Sequence, residues 1–309
     1  MTVPGQLDFE LDANEPAGTI QARNPWRLAW ERLRRDRVAI GSAVVIVLIV
    51  AVAAGAPVFA LLTGHGVDTQ YRTTGLTPDG LPTPPSREFW LGTDDLGRDL
   101  VVRIAYGARI SLLVGVVATL LTVATGVVVG LAAGYFGGIV DTVLARLVDV
   151  VLSFPFLLFA ISLVSLTGPS LAVAVLAISA FSWAAVARIV RGQVLSVRER
   201  EFVEAARSLG ASDWRIIFVD VLPNVLAPII VYTTLLVPTV IVVEATLSFL
   251  GLGVPPPTPT WGGMLSDAVN YYQVAWWYVV FPGAALVLTT LAFNLLGDGV
   301  RDAFGGTDR

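Results

Sequence analysis

The chain has 309 residues, 55% of them hydrophobic and 14% charged, with a mean hydropathy of +0.74 and a net charge of −4. Such usage is far from that of a soluble domain and places the chain in a membrane. A sequence pI near 5.0 argues against nucleic-acid binding, which calls for a basic, phosphate-neutralising surface.

Missing residue types narrow the chemistry. Every basic residue is Arg, so there is no P-loop lysine and no complete Walker A nucleotide site. Without Cys there is no thiol nucleophile, thiolate metal site or disulfide. The single histidine, His65, stands beside glycines in a loop. One His makes neither a metal cluster nor a Ser/His/Asp set, so it reads as structural.

Residues 1–23 carry Asp8, Glu10, Asp12 and Glu15 among small residues and read as a disordered cytoplasmic tail. Residues 24–62 form an interfacial helix and a first span. Asn24 and Pro25 cap and open the helix, whose Trp26, Trp30 and Leu33 share one face while Arg27, Arg32, Arg34 and Arg35 take the others. A bilayer core about 30 Å thick needs about 20 apolar helical residues, and six uncharged runs approach or exceed that length. They are residues 38–62, 110–133, 150–167, 170–187, 225–243 and 279–296. The first is too long for a signal-peptide core and follows a long polar leader, so it reads as a retained span.

Residues 63–109 are predicted to be an external loop containing an amphipathic helix. Gly, Pro and Thr dominate 64–86; Thr93 then caps a helix in which Leu96, Leu100 and Ile104 recur at fourfold spacing. The core permease region is 110–304, followed by a short tail at 305–309. Within the core, Pro155 is expected to bend the third span, and Pro228 and Pro238 threaten the fifth. The ring-rich segment 244–278, with Trp261, Tyr271, Tyr272, Trp276, Trp277 and Tyr278, suits the headgroup level.

The arginines set orientation. Six precede the first span, one lies between the second and third, six between the fourth and fifth, and two follow the sixth; five lie between the first and second. An N-in topology therefore places fifteen inside against five outside, with both termini cytoplasmic.

The stretch 188–224, between spans four and five, is long enough to need structure of its own. Phe202, Ala205, Ala206 and Leu209 repeat at helical spacing, Gly210 supplies a stop and Ser212 the next N-cap. Trp214, Ile217, Phe218 and Val221 repeat the pattern before Pro223 ends it. Two short amphipathic helices joined by a glycine expose more apolar surface than one loop can bury, which implies a partner.

Glu204-Ala205-Ala206, then Gly210, Ile216 and Leu222-Pro223, resembles the EAA loop of binding-protein-dependent ABC importer permeases. The resemblance implies that these residues and Ser212 form coupling helices seated in a groove of an ATPase subunit. Trp90-Leu91-Gly92-Thr93-Asp94-Asp95-Leu96-Gly97-Arg98-Asp99, Ser248-Phe249-Leu250-Gly251-Leu252-Gly253 and Asn294-Leu295-Leu296-Gly297-Asp298-Gly299 resemble C-type subunits of oligopeptide, dipeptide and nickel transporters.

An all-α, MetI-like type I importer permease with six transmembrane helices follows from that resemblance, in the cytoplasmic membrane of a prokaryote. Its implied partners are a B-type permease, two ATPase subunits, an external substrate-binding protein and membrane lipid. The chain itself would be no enzyme and bind no cofactor or metal; ATP and Mg would belong to the ATPase subunits. Peptides are the implied substrate, with nickel and oligosaccharides open.

Two other classes compete. An ion-coupled carrier places ionisable groups inside spans, whereas Asp149 and Glu244 are expected at span ends. With Arg146 and Pro155 they are the candidates for a pathway or gate, although Arg146 and Asp149 also stand one turn apart and suit a plain ion pair. A membrane enzyme needs a nucleophile or an acid and base within the spans, and none is visible.

Overall fold

The computed structural model describes residues 25–305. The expected tail at 1–23 and positions 306–309 of the expected C-terminal tail lie outside them. The described residues contain no strand, only two isolated bridges, Leu76 with Pro82 and Thr93 with Asp99.

Helix α1 (Pro25–Leu33) lies against the end of the last helix, with Trp26 edge-on to Phe304 at 5.2 Å. Asp36 caps α2 (Arg37–Ala54) by accepting from the amides of Val38 and Ala39. The expected first span is interrupted: α3 (Ala56–Thr63) restarts after Gly55, because Pro57 cannot donate to the turn before it and its ring crowds the preceding carbonyls.

Residues 64–99 are irregular, as expected for 64–86, but the helix expected to start at Thr93 does not form there. Thr93 is fully buried inside the loop, where its hydroxyl donates to Gly75 O at 2.6 Å and accepts from Thr83 N at 2.8 Å. Asp94 folds the chain back, its Oδ1 accepting from the amides of Leu96 and Arg98. The true cap is Asp99, which accepts from Val101 N at 2.8 Å and opens α4 (Leu100–Phe136), so the amphipathic segment and span two are one 37-residue helix. His65 is structural: Nδ1 lies 2.6 Å from the other oxygen of Asp99, and its ring stacks on Phe89. Of the five arginines expected outside, Arg98 in this loop and Arg103 in the first turn of α4 are buried and pair with Asp94.

Helices α4 and α7 (Leu171–Arg198) form the bundle's closest contact. Gly126, Gly130 and Gly134, one every four residues, face Val186, Val190 and Val194, and a Cβ at each glycine would lie 2.5 to 2.7 Å from the opposing valine Cβ. This is small-residue packing of the kind that brings helix backbones together in lipid. Gly130→Leu should lower the thermal midpoint of the detergent-purified protein, since overpacking costs about 1–3 kcal/mol. Gly192→Leu, in open space on the same helix pair, should leave the midpoint unchanged.

The third span is broken rather than curved. Helices α5 (Gly138–Ser153) and α6 (Phe156–Thr167) meet at 83° across Phe154, which takes the extended backbone favoured before proline, and Pro155. Helix α10 (Leu222–Phe249), by contrast, runs through Pro228 and Pro238 unbroken. It is also continuous with the short α9 (Asp213–Arg215) through a π-helical turn at Ile216–Val221. Pro223 therefore does not end the second loop helix. The wide turn, in which Leu222 N donates to Ile217 O, makes room for the proline ring where an α-helical carbonyl would clash.

Helix α11 (Trp261–Ala268) is capped by Thr260, and its Gly262 rests on the Ala245 backbone of α10. The ring-rich segment is only partly interfacial. Tyr272 and Trp276 are exposed, but Trp261, Trp277 and Tyr278 are buried, their polar atoms reaching Ile104 O, Thr93 O and Asp95 Oδ1. A ring with a polar tip suits such a place because the body fills the core while the tip satisfies a buried acceptor. Helix α12 (Trp276–Gly305) closes the bundle against α2 and α10. Among the described residues, five helices are long and apolar enough to cross a membrane, and the bent α5–α6 pair makes a sixth crossing if it counts as one span.

Candidate coupling surface

The expected loop 188–224 is shorter than its sequence boundaries, because α7 continues to Arg198 and α9, the π turn and α10 form one rod from Asp213. Helix α8 (Glu201–Ser208) and residues 209–212 make the bend between them. Gly210 has φ +79°, the left-handed conformation expected of a helix-ending glycine, and a Cβ added there would meet nothing within 4 Å. Ser212 has the extended backbone of an N-cap, but its side chain makes no capping bond.

The apolar residues divide differently from the sequence pattern. Val203, Ile216, Ile217 and Val221 turn inward and join one cluster with Val190, Val194 and Val197 of α7, so the hairpin's inner face is part of the bundle core. Val203, at 0% exposure, lies outside the expected stripe, whereas Ile217 and Val221 belong to it; Ala206 and Leu222 pack partly against the same cluster. Phe202, Ala205, Leu209, Trp214 and Phe218 face outward, Leu209 at 88% and Trp214 at 69% exposure. The Trp214 and Phe218 rings stack 5.7 Å apart. A heptad template cannot separate the two faces here because the π turn shifts the helical phase between Arg215 and Leu222.

Glu204 is exposed, and its carboxylate forms no ion pair among the described residues, with Arg200 or Arg207 or otherwise. It lines an open cleft with Tyr135, Arg198, Glu199, Arg207 and Asp213. Pro223 is exposed on the rod above the hairpin.

The candidate gate residues lie elsewhere and do not form one site. Asp149 pairs with Arg188 at 2.8 Å more closely than with Arg146 at 3.9 Å, and Arg146 is largely exposed. A second ion pair, Arg191 with Asp141, also joins α7 to α5, so these charges fasten the two helices. Pro155 stands at the 83° bend. Glu244 is not at a span end: no breaker follows it until Gly251, and α10 continues to Phe249. The carboxyl is fully buried, with Ser248 Oγ donating to Oε1 at 2.7 Å and no hydrogen-bond partner at Oε2 among the described residues. An ionisable group thus does lie inside a span, and its absence cannot serve as the ground for setting aside an ion-coupled carrier.

Long apolar helices, a proline-broken helix pair packed at one side of the bundle against α7, and a hairpin with an uncovered apolar face make up a polytopic membrane protein. Residues 126–306 match the family model described as binding-protein-dependent transport system inner membrane component, and residues 24–78 match that of the N-terminal TM domain of oligopeptide transport permease C. The chain belongs to the family of binding-protein-dependent transport system inner membrane components.

Similar proteins include the dipeptide transport system permease protein DppC of Alkalihalophilus pseudofirmus, 43% identical over 95% of this chain and 94% of that one. The glutathione transport system permease protein GsiD of Pectobacterium atrosepticum is 41% identical over 91% of each chain. The oligopeptide transport system permease protein OppC of Escherichia coli K12 is 42% identical over 94% of each. Among solved structures, the inward-facing MetNI methionine ABC transporter aligns with a TM-score of 0.55 at 19% identity, covering 65% of this chain and 96% of that one, which shows a shared MetI-like fold.

Proposed function

We propose that this chain is the C-type permease subunit of an ATP-driven importer, forming half of a pathway for peptides delivered by an external substrate-binding protein. Family membership and the names of the dipeptide, oligopeptide and glutathione relatives support the peptide reading. The observation that carries the coupling role is the hairpin: its inner residues belong to the bundle core while Leu209, Trp214 and Phe218 remain uncovered. Exposed rings and a leucine on one hairpin suit a protein partner better than solvent.

In this reading Glu204, Ala205, Gly210 and Ser212 form the face that meets an ATPase subunit, and Ala206 seats that face on the bundle core. Ile216, Leu222 and Pro223 join that face to α10. The ATPase subunits hold ATP and Mg, a B-type permease supplies the other half of the pathway, and both termini and the hairpin face the cytoplasm of a prokaryotic cell.

Orientation and docking are tested together with Ser212→Cys in the naturally Cys-free chain. An impermeant thiol reagent should label it in inside-out vesicles and not in intact cells, and a bifunctional crosslinker should join it to a nucleotide-binding chain. Labelling from outside intact cells would contradict the topology.

A further inference from the structure

Resting on the coupling role of the hairpin, we propose that Tyr135, through Asp213, is a positioning residue that fastens the docking hairpin to the end of α4, so that hairpin movement is passed to α4 as well as to α10.

Tyr135 lies in the last turn of α4, immediately before Phe136 and the glycine at 137 with φ +66°. Its hydroxyl donates to Asp213 Oδ1 at 2.7 Å, bridging 78 residues of sequence from α4 to the first residue of α9. The Arg207 guanidinium of α8 stands 6.0 Å from the centre of the same ring, so one side chain touches both arms of the hairpin. Tyr135 itself is clamped. Arg198, at the end of α7, donates to the carbonyls of Gly134 and Tyr135 at 3.0 and 3.3 Å, satisfying acceptors that the end of α4 leaves free. Gly134 lies against Val194, and the Tyr135 ring belongs to the core cluster containing Val203 and Ile216.

Position along the chain gives this contact its mechanical meaning. Asp213 precedes the π turn, so the hairpin's direct connection to α10 passes through a turn wider than an α-helix. The Tyr135 bond bypasses that turn and reaches α4, which is packed along α7 by three glycines. A hydrogen bond to a carboxylate is among the stronger neutral-donor contacts, and it depends on one hydroxyl that Phe lacks.

The test compares Tyr135→Phe with the parent complex, reconstituted with its partner subunits, by measuring peptide taken up per ATP hydrolysed. We expect normal membrane level and ATPase association, but uptake per ATP lower by about tenfold, the scale of one lost charge-assisted hydrogen bond. Asp213→Asn keeps an acceptor oxygen and should remain near the parent ratio, Asp213→Ala should match Tyr135→Phe, and the double variant should be no worse than either single one. A parent ratio in both Tyr135→Phe and Asp213→Ala would overturn the proposal. Trp214→Ala in parallel separates the two ideas: if it loses uptake while Tyr135→Phe is normal, the coupling hairpin stands and the Tyr135 link falls. If Trp214→Ala also retains full uptake, the coupling role itself fails.

Discussion

Gly210→Val is expected to give a normally inserted permease whose ATP-driven uptake falls by more than about tenfold. The backbone at Gly210 has φ +79°, and placing an L-residue there costs about 1–2 kcal/mol, with a β-branched side chain adding to it. No neighbour lies within 4 Å of the added Cβ, so the effect comes from the backbone and not from a clash. The strain is relieved by moving α8 relative to α9, which misaligns the outward face while leaving the membrane-spanning helices in place. Gly210→Asn, tolerated in left-handed positions, should recover much of the uptake. Full uptake by the Val variant at matched membrane level would show that the hairpin angle does not matter.

Trp214→Ala is expected to lose association with the ATPase subunit by a similar or larger factor. Large aromatic side chains dominate protein interfaces, and truncating one at a central position costs about 2 kcal/mol or more, a factor of about thirty in affinity. Trp214 is 69% exposed and stacks on Phe218, so its removal opens no cavity in the bundle. The thermal midpoint of the isolated permease should therefore hold while co-purification of the ATPase falls. A lower midpoint with unchanged co-purification would place Trp214 in the fold or the lipid boundary instead.

Much of this architecture is legible from hydropathy because a membrane span is a long composition signal. The boundaries are not. Arg188 and Arg191 look like the start of a loop because charge ends an apolar run, yet both lie within α7, paired with Asp149 and Asp141. Glu244 looks like a span end for the same reason, whereas its helix runs on with the carboxyl buried against Ser248. Thr93 followed by acidic residues resembles a helix start, but its hydroxyl is spent inside the loop and Asp99 takes the cap.

At the coupling surface, Gly210 is readable because a helix-ending glycine has a local cause. The two faces of the hairpin are not, since the π turn that sets their phase arises from accommodating Pro223 in a continuing rod. The glycine ladder at 126, 130 and 134 is written in the sequence as a fourfold repeat of a small residue, a signal that hydropathy alone passes over. Tyr135 carries no such signal, because its partner is 78 residues away.

This chain is expected to carry peptides only as part of an ATP-driven complex engaged through its hairpin. The direct measurement is uptake of a labelled peptide into proteoliposomes holding the complete complex, with the loaded binding protein outside and ATP or a non-hydrolysable analogue enclosed. Accumulation that requires enclosed ATP, persists when ion gradients are collapsed, and is lost with Trp214→Ala is the expected result. Accumulation driven by an ion gradient without ATP, or ATP-driven accumulation unchanged in Trp214→Ala, would contradict it.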